Sequence, residues 1–121
     1  MNWKSIRLEL ARTREFPNGS ASRAYLLRLP LTADGVIDEE AVQRKPEQAT
    51  VRRLWPSEPD LSGHVRRSGS HWACVAERNV SQPTIFSEFD CLPISEGAML
   101  MLREQNGVQL PFRVAKLRSI G

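Results

Sequence analysis

Apolar and polar residues alternate with a period of two along much of this chain, the pattern of strands with one buried face. Ile6, Leu8 and Leu10 alternate with Arg7 and Glu9, and Leu27, Leu29 and Leu31 flank Arg28 and Pro30. Between the two runs lies Asn18-Gly19, a pair that tolerates positive φ in tight turns. A two-residue turn there opposes Ile6 to Leu31, Leu8 to Leu29 and Leu10 to Leu27, with Glu9 meeting Arg28 on the other face.

Asn106-Gly107 predicts another hairpin, with Met101 opposite Phe112 and Met99 opposite Val114 as core pairs. Ser68-Gly69 predicts a third, with Val65 facing Trp72 and with His64, Arg66, His71 and Ala73 on the opposite face. Thr50 to Trp55 and Thr84 to Phe89 read as further strands, and Pro56, Pro59, Pro83 and Pro93 mark loops. One stretch is helical in pattern. Asp38 can cap residues 38–45, Glu39 and Glu40 suit the positive end of the dipole, Arg44 and Lys45 suit the negative end, and Ile37 and Val42 stand at staple spacing. The expected fold is all-β and mainly antiparallel: a small barrel or rolled sheet of about eight strands, with one short helix, in a single domain over residues 1–121.

Ala98-Met99-Leu100-Met101-Leu102 is apolar on both faces, where a half-exposed strand should alternate. With Met99 and Met101 assigned to the core, Leu100 and Leu102 are left as interface candidates, and a homodimer is the partner expected from them. The same run is the longest apolar stretch, far short of the roughly 20 residues that span a bilayer. Charges within Met1-Asn2-Trp3-Lys4-Ser5-Ile6-Arg7 interrupt any secretory signal, so a cytoplasmic location with Cys74 and Cys91 reduced is expected.

With 121 residues, 40% hydrophobic and 26% charged, the composition is that of a globular protein. The formal net charge is +3 and the pI about 9.3. Along the chain the sign alternates: residues 1–30 are basic, 31–48 acidic, 49–78 basic, 79–96 acidic and 97–121 basic. Such interleaving predicts a mixed surface rather than one basic patch, which places nucleic acid behind other partners.

Candidate chemistry is sparse. His64, His71, Cys74 and Cys91 are of the types zinc prefers, but the third hairpin turns Cys74 inward and both histidines outward, so no metal site is expected. Neither cysteine follows a Gly-rich elbow, Glu88 and Asp90 read as outward charges, and no phosphate-binding glycine loop is present; no catalytic residue and no cofactor are assigned. Trp3, Trp55 and Trp72 neighbour Lys4, Arg53 and Arg67, the combination with which small barrels stack single-stranded bases. His64, Arg66, Arg67, His71 and Arg53 are therefore the candidates for contact with a ligand or nucleic acid. Gly97-x-x-Leu100-x-Leu102, then Asn106-Gly107 and Phe112-Arg113-Val114, resembles the closing hairpin of many small barrels, the PUA-like RNA-binding group among them, over about twenty residues. The expected function is a non-catalytic binding or protein-interaction module for an unidentified protein or small molecule. An RNA- or single-strand-binding barrel, PUA-like or OB-like, is the alternative, and a small thiol- or carboxylate-dependent enzyme stands third.

Overall fold

A computed structural model describes residues 2–76 and 84–120. Eight strands run β1 (Trp3–Leu10), β2 (Ser20–Pro30), β3 (Thr50–Leu54), β4 (Leu61–Ser68), β5 (His71–Ala76), β6 (Ile85–Asp90), β7 (Met99–Glu104) and β8 (Gln109–Ser119). Each pairs antiparallel with its neighbour in sequence, and β8 returns to pair with β1, so the sheet closes into a barrel without an edge. Pro83, read as a loop residue, lies outside the described residues. Among the described residues no helix is long and apolar enough to cross a membrane.

The expected helix is present as α1 (Glu39–Arg44), followed by a 3-10 turn over Pro46–Gln48. Asp38 caps α1 by accepting a hydrogen bond from the Ala41 amide at 3.2 Å. The connection that carries it buries Leu31, Ile37, Val42 and Ala49 at one end of the barrel, the base. The loops after β1 and β3 and the β7–β8 turn ring the opposite end, the mouth. Between the two ends Ile6, Leu8, Leu27, Leu29, Val51, Val65, Trp72, Leu100, Leu102, Phe112 and Val114 fill the interior.

Three turns depart from expectation, with unequal consequences. In the first hairpin Phe16 to Gly19 forms the turn, with Pro17 and Asn18 central, Gly19 at φ +73° and its N–H donating to the Phe16 carbonyl. Pro17 has no N–H to give to a ladder, so the strands stop earlier and a longer loop joins them. Ile6 meets Leu27, and Leu8 meets Tyr25 rather than Leu29. The register moves by an even number of residues, so the expected side chains still face inward; Glu9 now bonds Arg7, and Arg28 lies across from Ser5. The third hairpin turns on Gly69-Ser70, pairing Val65 with Cys74, again an even shift.

The hairpin at Asn106-Gly107 slips by one, which exchanges the faces. Its loop has three residues, with Gly107 at φ +85° and a Glu104 N–H to Val108 carbonyl bond, the turn-plus-bulge geometry common for that length. Leu100 thus meets Phe112 and Met101 meets Pro111. Met99 and Met101, expected in the core, are 53% and 49% exposed. The interface candidates Leu100 and Leu102 are 2% and 0% exposed and point into the barrel, so they offer nothing to a second subunit.

Gly63 marks a close approach of β4 to β5: a Cβ placed on it would lie 1.8 Å from the Val75 carbonyl oxygen, a backbone atom that cannot swing aside. Gly63→Ala is therefore expected to cost roughly 3 kcal/mol or more in urea unfolding, whereas Gly107→Val, limited to the strain of positive φ in open space, should cost between about 1 and 2 kcal/mol. A Gly63→Ala protein within 1 kcal/mol of the parent would contradict the β4–β5 register.

Candidate functional site

The alternation that points Val51 into the barrel also points Arg53 inward, and Leu100, Leu102 and Glu104 form the same series on β7. Tyr25 is the cross-strand partner of Arg53. These three polar residues converge near the mouth, where Arg53 and Glu104 are about nine-tenths buried and Tyr25 is fully so. Tyr25 donates its hydroxyl proton to Glu104 Oε2 at 2.5 Å. Arg53 donates from Nε to Glu104 Oε1 at 2.9 Å, with Nη2 2.8 Å from the same oxygen. Both carboxylate oxygens are thereby engaged, as a buried anion requires.

The remaining Arg53 nitrogen reaches outward, Nη1 donating to Glu58 Oε1 at 3.0 Å. Glu58 follows Ser57, the one non-glycine residue with positive φ among those described, at +65°. Pro56 and Ser57 occupy the centre of a turn closed from Glu58 N–H to the Trp55 carbonyl, and the strained Ser57 backbone holds Glu58 toward Arg53. The Arg53 guanidinium lies 3.9 Å from the centre of the Trp55 ring. Arg23 stands 5.8 Å from the centre of the Trp55 ring and 4.1 Å from that of Phe16, with no carboxylate of the described residues in ion-pair reach. A row of alternating rings and cations, Phe16, Arg23, Trp55 and Arg53, thus runs across the rim. Phe112 supports it from below, 6.3 Å from Trp55 and edge-on to Tyr25 at 5.1 Å.

Beside this row opens a cavity of about 470 Å³, lined by the apolar side chains of Trp55, Leu61, Phe86 and Leu110 and by the charged ones of Arg53, Glu58 and Glu104. Glu15 adds a third carboxylate against the single guanidinium. Burial alone would pull the Arg53 pKa down, but the charge of Glu104 and the bonds to Glu58 and Glu104 outweigh it and raise the pKa. Arg53 stays a cation at every accessible pH. Burial, reinforced by the Glu104 charge, pushes the Tyr25 pKa up, so the phenol remains a proton donor. Cys74, fully buried nearby, has its thiol pushed up to about 12 by burial.

Of the candidates expected from sequence, only Arg53 belongs to this cluster. Arg66 projects into solvent from β4, and His64 lies half-buried on the same outward face across from Thr50 and Val75. Arg67 sits at the base, its Nε bonded to the Gly69 carbonyl, 3.7 Å from Glu39 and 5.5 Å from the Trp72 ring. His71 Nδ1 is 2.8 Å from Asp90 Oδ1, outside the barrel at the same end. The set His64, His71, Cys74 and Cys91 is not brought together, because Cys74 is interior and the Cys91 thiol turns to the Ser70 carbonyl. Nor do the tryptophans make a stacking platform: Trp3 and Trp72 are buried, and Trp55 carries a guanidinium on its face. Glu104 was not legible because the expected register of the last hairpin turns it outward, and without Glu104 nothing marks Tyr25 as its donor. The signal that could have found them is an inward Arg53, which demands an inward carboxylate. No protein-family model, curated protein or solved structure matches this chain.

Two expectations follow from the interior. Cys91 should react with iodoacetamide at pH 8 in the native state while Cys74 reacts only on unfolding; comparable labelling rates at the two sites would contradict the barrel interior. Because the folded pKa values of Cys74 and Tyr25 lie above their unfolded ones, their contribution to stability is complete below pH 8.5 and declines as pH rises from there toward 12. Each titrating group removes up to about 1.4 kcal/mol per pH unit. Urea midpoints measured from pH 8 to 11 should fall steadily, and less steeply in Cys74→Val; a flat profile would count against both shifts.

Proposed function

We propose that this chain is a non-catalytic binding module that takes its ligand at the mouth of the barrel. The observation that carries the reading is the cavity beside Trp55, whose volume of about 470 Å³ falls in the range of small-ligand sites and whose wall mixes apolar with charged and neutral polar side chains. Its carboxylates, Glu15, Glu58 and Glu104, outnumber its one cation, Arg53. A ligand that complements it has a positively charged group on an apolar stem, as a basic side chain of a peptide does. The apolar part of the wall, Leu61, Phe86 and Leu110 with the half-buried Trp55, gives such a stem a surface to pack against.

Recognition rather than turnover is favoured by how the reactive groups are used. Glu104, Tyr25 and Arg53 satisfy one another, Cys74 is held as a buried thiol, and His71 is paired with Asp90 at the other end of the molecule. Among the described residues, a nucleophile, its base and an orienting group do not share one cleft. The network's function is to hold the rim: it fixes Arg53, which fixes Trp55 and Glu58.

Tryptophan fluorescence and calorimetric titration with capped peptides that place one Arg or Lys between apolar residues test this reading. Saturable binding, lost at least tenfold in both Trp55→Ala and Glu58→Gln proteins that still unfold cooperatively, is the expected result. Binding unaffected by either change, or chemical conversion of the bound peptide, would refute it.

A further inference from the structure

Charges that alternate along the chain do not alternate around the barrel. Strands β8, β1, β2, β3 and β4 are consecutive neighbours in the closed sheet, and together they contain eleven of the seventeen Lys and Arg residues but a single carboxylate, Glu9. Register places several of these cations side by side on the outer surface. Ser5 is flanked by Arg28 on one neighbouring strand and Arg118 on the other, and Arg7 by Leu26 and Lys116. Arg52 continues the second row on β3. Glu9 is already occupied by Arg7 and Arg113, and Asp60 by Arg52. Around this β8–β1–β2 seam Arg28, Lys116 and Arg118 are exposed and have no carboxylate of the described residues within ion-pair distance.

We propose that this outer face is a docking surface for double-stranded nucleic acid, gripped through its phosphates and not read at its bases. The site goes beyond the mouth and is separate from it, so either can fail without the other. Neighbouring strands lie about 4.8 Å apart, which sets Arg28 and Arg118 roughly 10 Å from each other across Ser5. A duplex, with a charge about every 1.7 Å along its axis, meets that spacing in any register. Three features of the face select the duplex over other polyanions. The aromatic residues of these five strands, Trp3, Tyr25 and Phe112, are all buried, which leaves nothing for unpaired bases to stack on. The exposed large apolar side chains, Val36, Ile85, Leu92, Met99, Met101 and Val108, lie outside these five strands, which leaves nothing on the face to enter a bilayer. Arginine supplies two of these three unpaired cations and matches phosphate oxygens with two donors at once.

Fluorescence anisotropy with a labelled 20-base-pair DNA duplex tests the proposal on the full chain. Three phosphate contacts predict a loss of affinity of roughly 40-fold between 50 and 200 mM NaCl. The doubly substituted Arg28→Gln, Arg118→Gln protein should bind at least tenfold more weakly at 50 mM, with a salt slope lower by about 2. Arg103→Gln removes the same kind of charge from β7, opposite Glu88 on another side of the barrel, and should stay within twofold of the parent. An RNA duplex of the same sequence bound equally well supports phosphate recognition. Equal weakening by Arg103→Gln, tighter binding of the matching single strand, capture by phosphatidylserine vesicles in place of the duplex, or no duplex binding at 100 μM protein would each overturn it.

Discussion

A carboxylate that faces the inside of a β-barrel has to be met by donors from the barrel itself, since leaving a charge buried and unpaired costs several kcal/mol. Glu104 is that carboxylate, and the upper part of this molecule is arranged around it. Tyr25 on β2 and Arg53 on β3 satisfy its two oxygens, and Glu104 is held on β7, so one polar cluster ties strands on different sides of the closed sheet. Arg53 then acts as a joint between interior and rim. One edge of its guanidinium is committed to Glu104, another to Glu58, and its face to Trp55. The shape of the mouth is therefore set from within, and the side chains that line its cavity are held without help from a ligand.

Closure gives the outer surface a complementary property. An eight-stranded meander brings the last strand to the first, and here both are basic, so a face accumulates from residues at the two ends of the chain. The interior cluster neutralises itself pair by pair, whereas the cations of the outer face are only partly answered by Glu9 and Asp60. Two chemically different surfaces thus belong to one small barrel: an acidic, partly apolar mouth and a basic wall without exposed aromatic rings.

Alternation along each strand was enough to foresee the all-β fold, and α1 was legible from Asp38 and the charges that follow it. In the first and third hairpins the turns were misplaced by even steps, and the inward set survived because side chains repeat every two residues. At Gly107 one additional loop residue moved Leu100 and Leu102 inside, put Met99 and Met101 outside, and carried Glu104 into the interior. The candidate site was hidden by that single step: Arg53 was legible as a candidate, but a register with Met99 and Met101 inside turns its partner Glu104 outward. The basic face was hidden for another reason. Charge was summed along the chain, and nothing local tells that Arg28 and Arg118, ninety residues apart, will both stand beside Ser5.

The most direct test of this account is a double-mutant cycle on Arg53 and Glu104, with Arg53→Met, Glu104→Gln and the double variant compared by urea unfolding. If the buried pair organises the mouth, each single change should cost about 3 kcal/mol or more by stranding its partner, and the double variant should be more stable than the sum of the two losses predicts by at least about 1.5 kcal/mol. Losses that simply add, or single variants as stable as the parent, would mean that the barrel does not depend on the contact between Arg53 and Glu104.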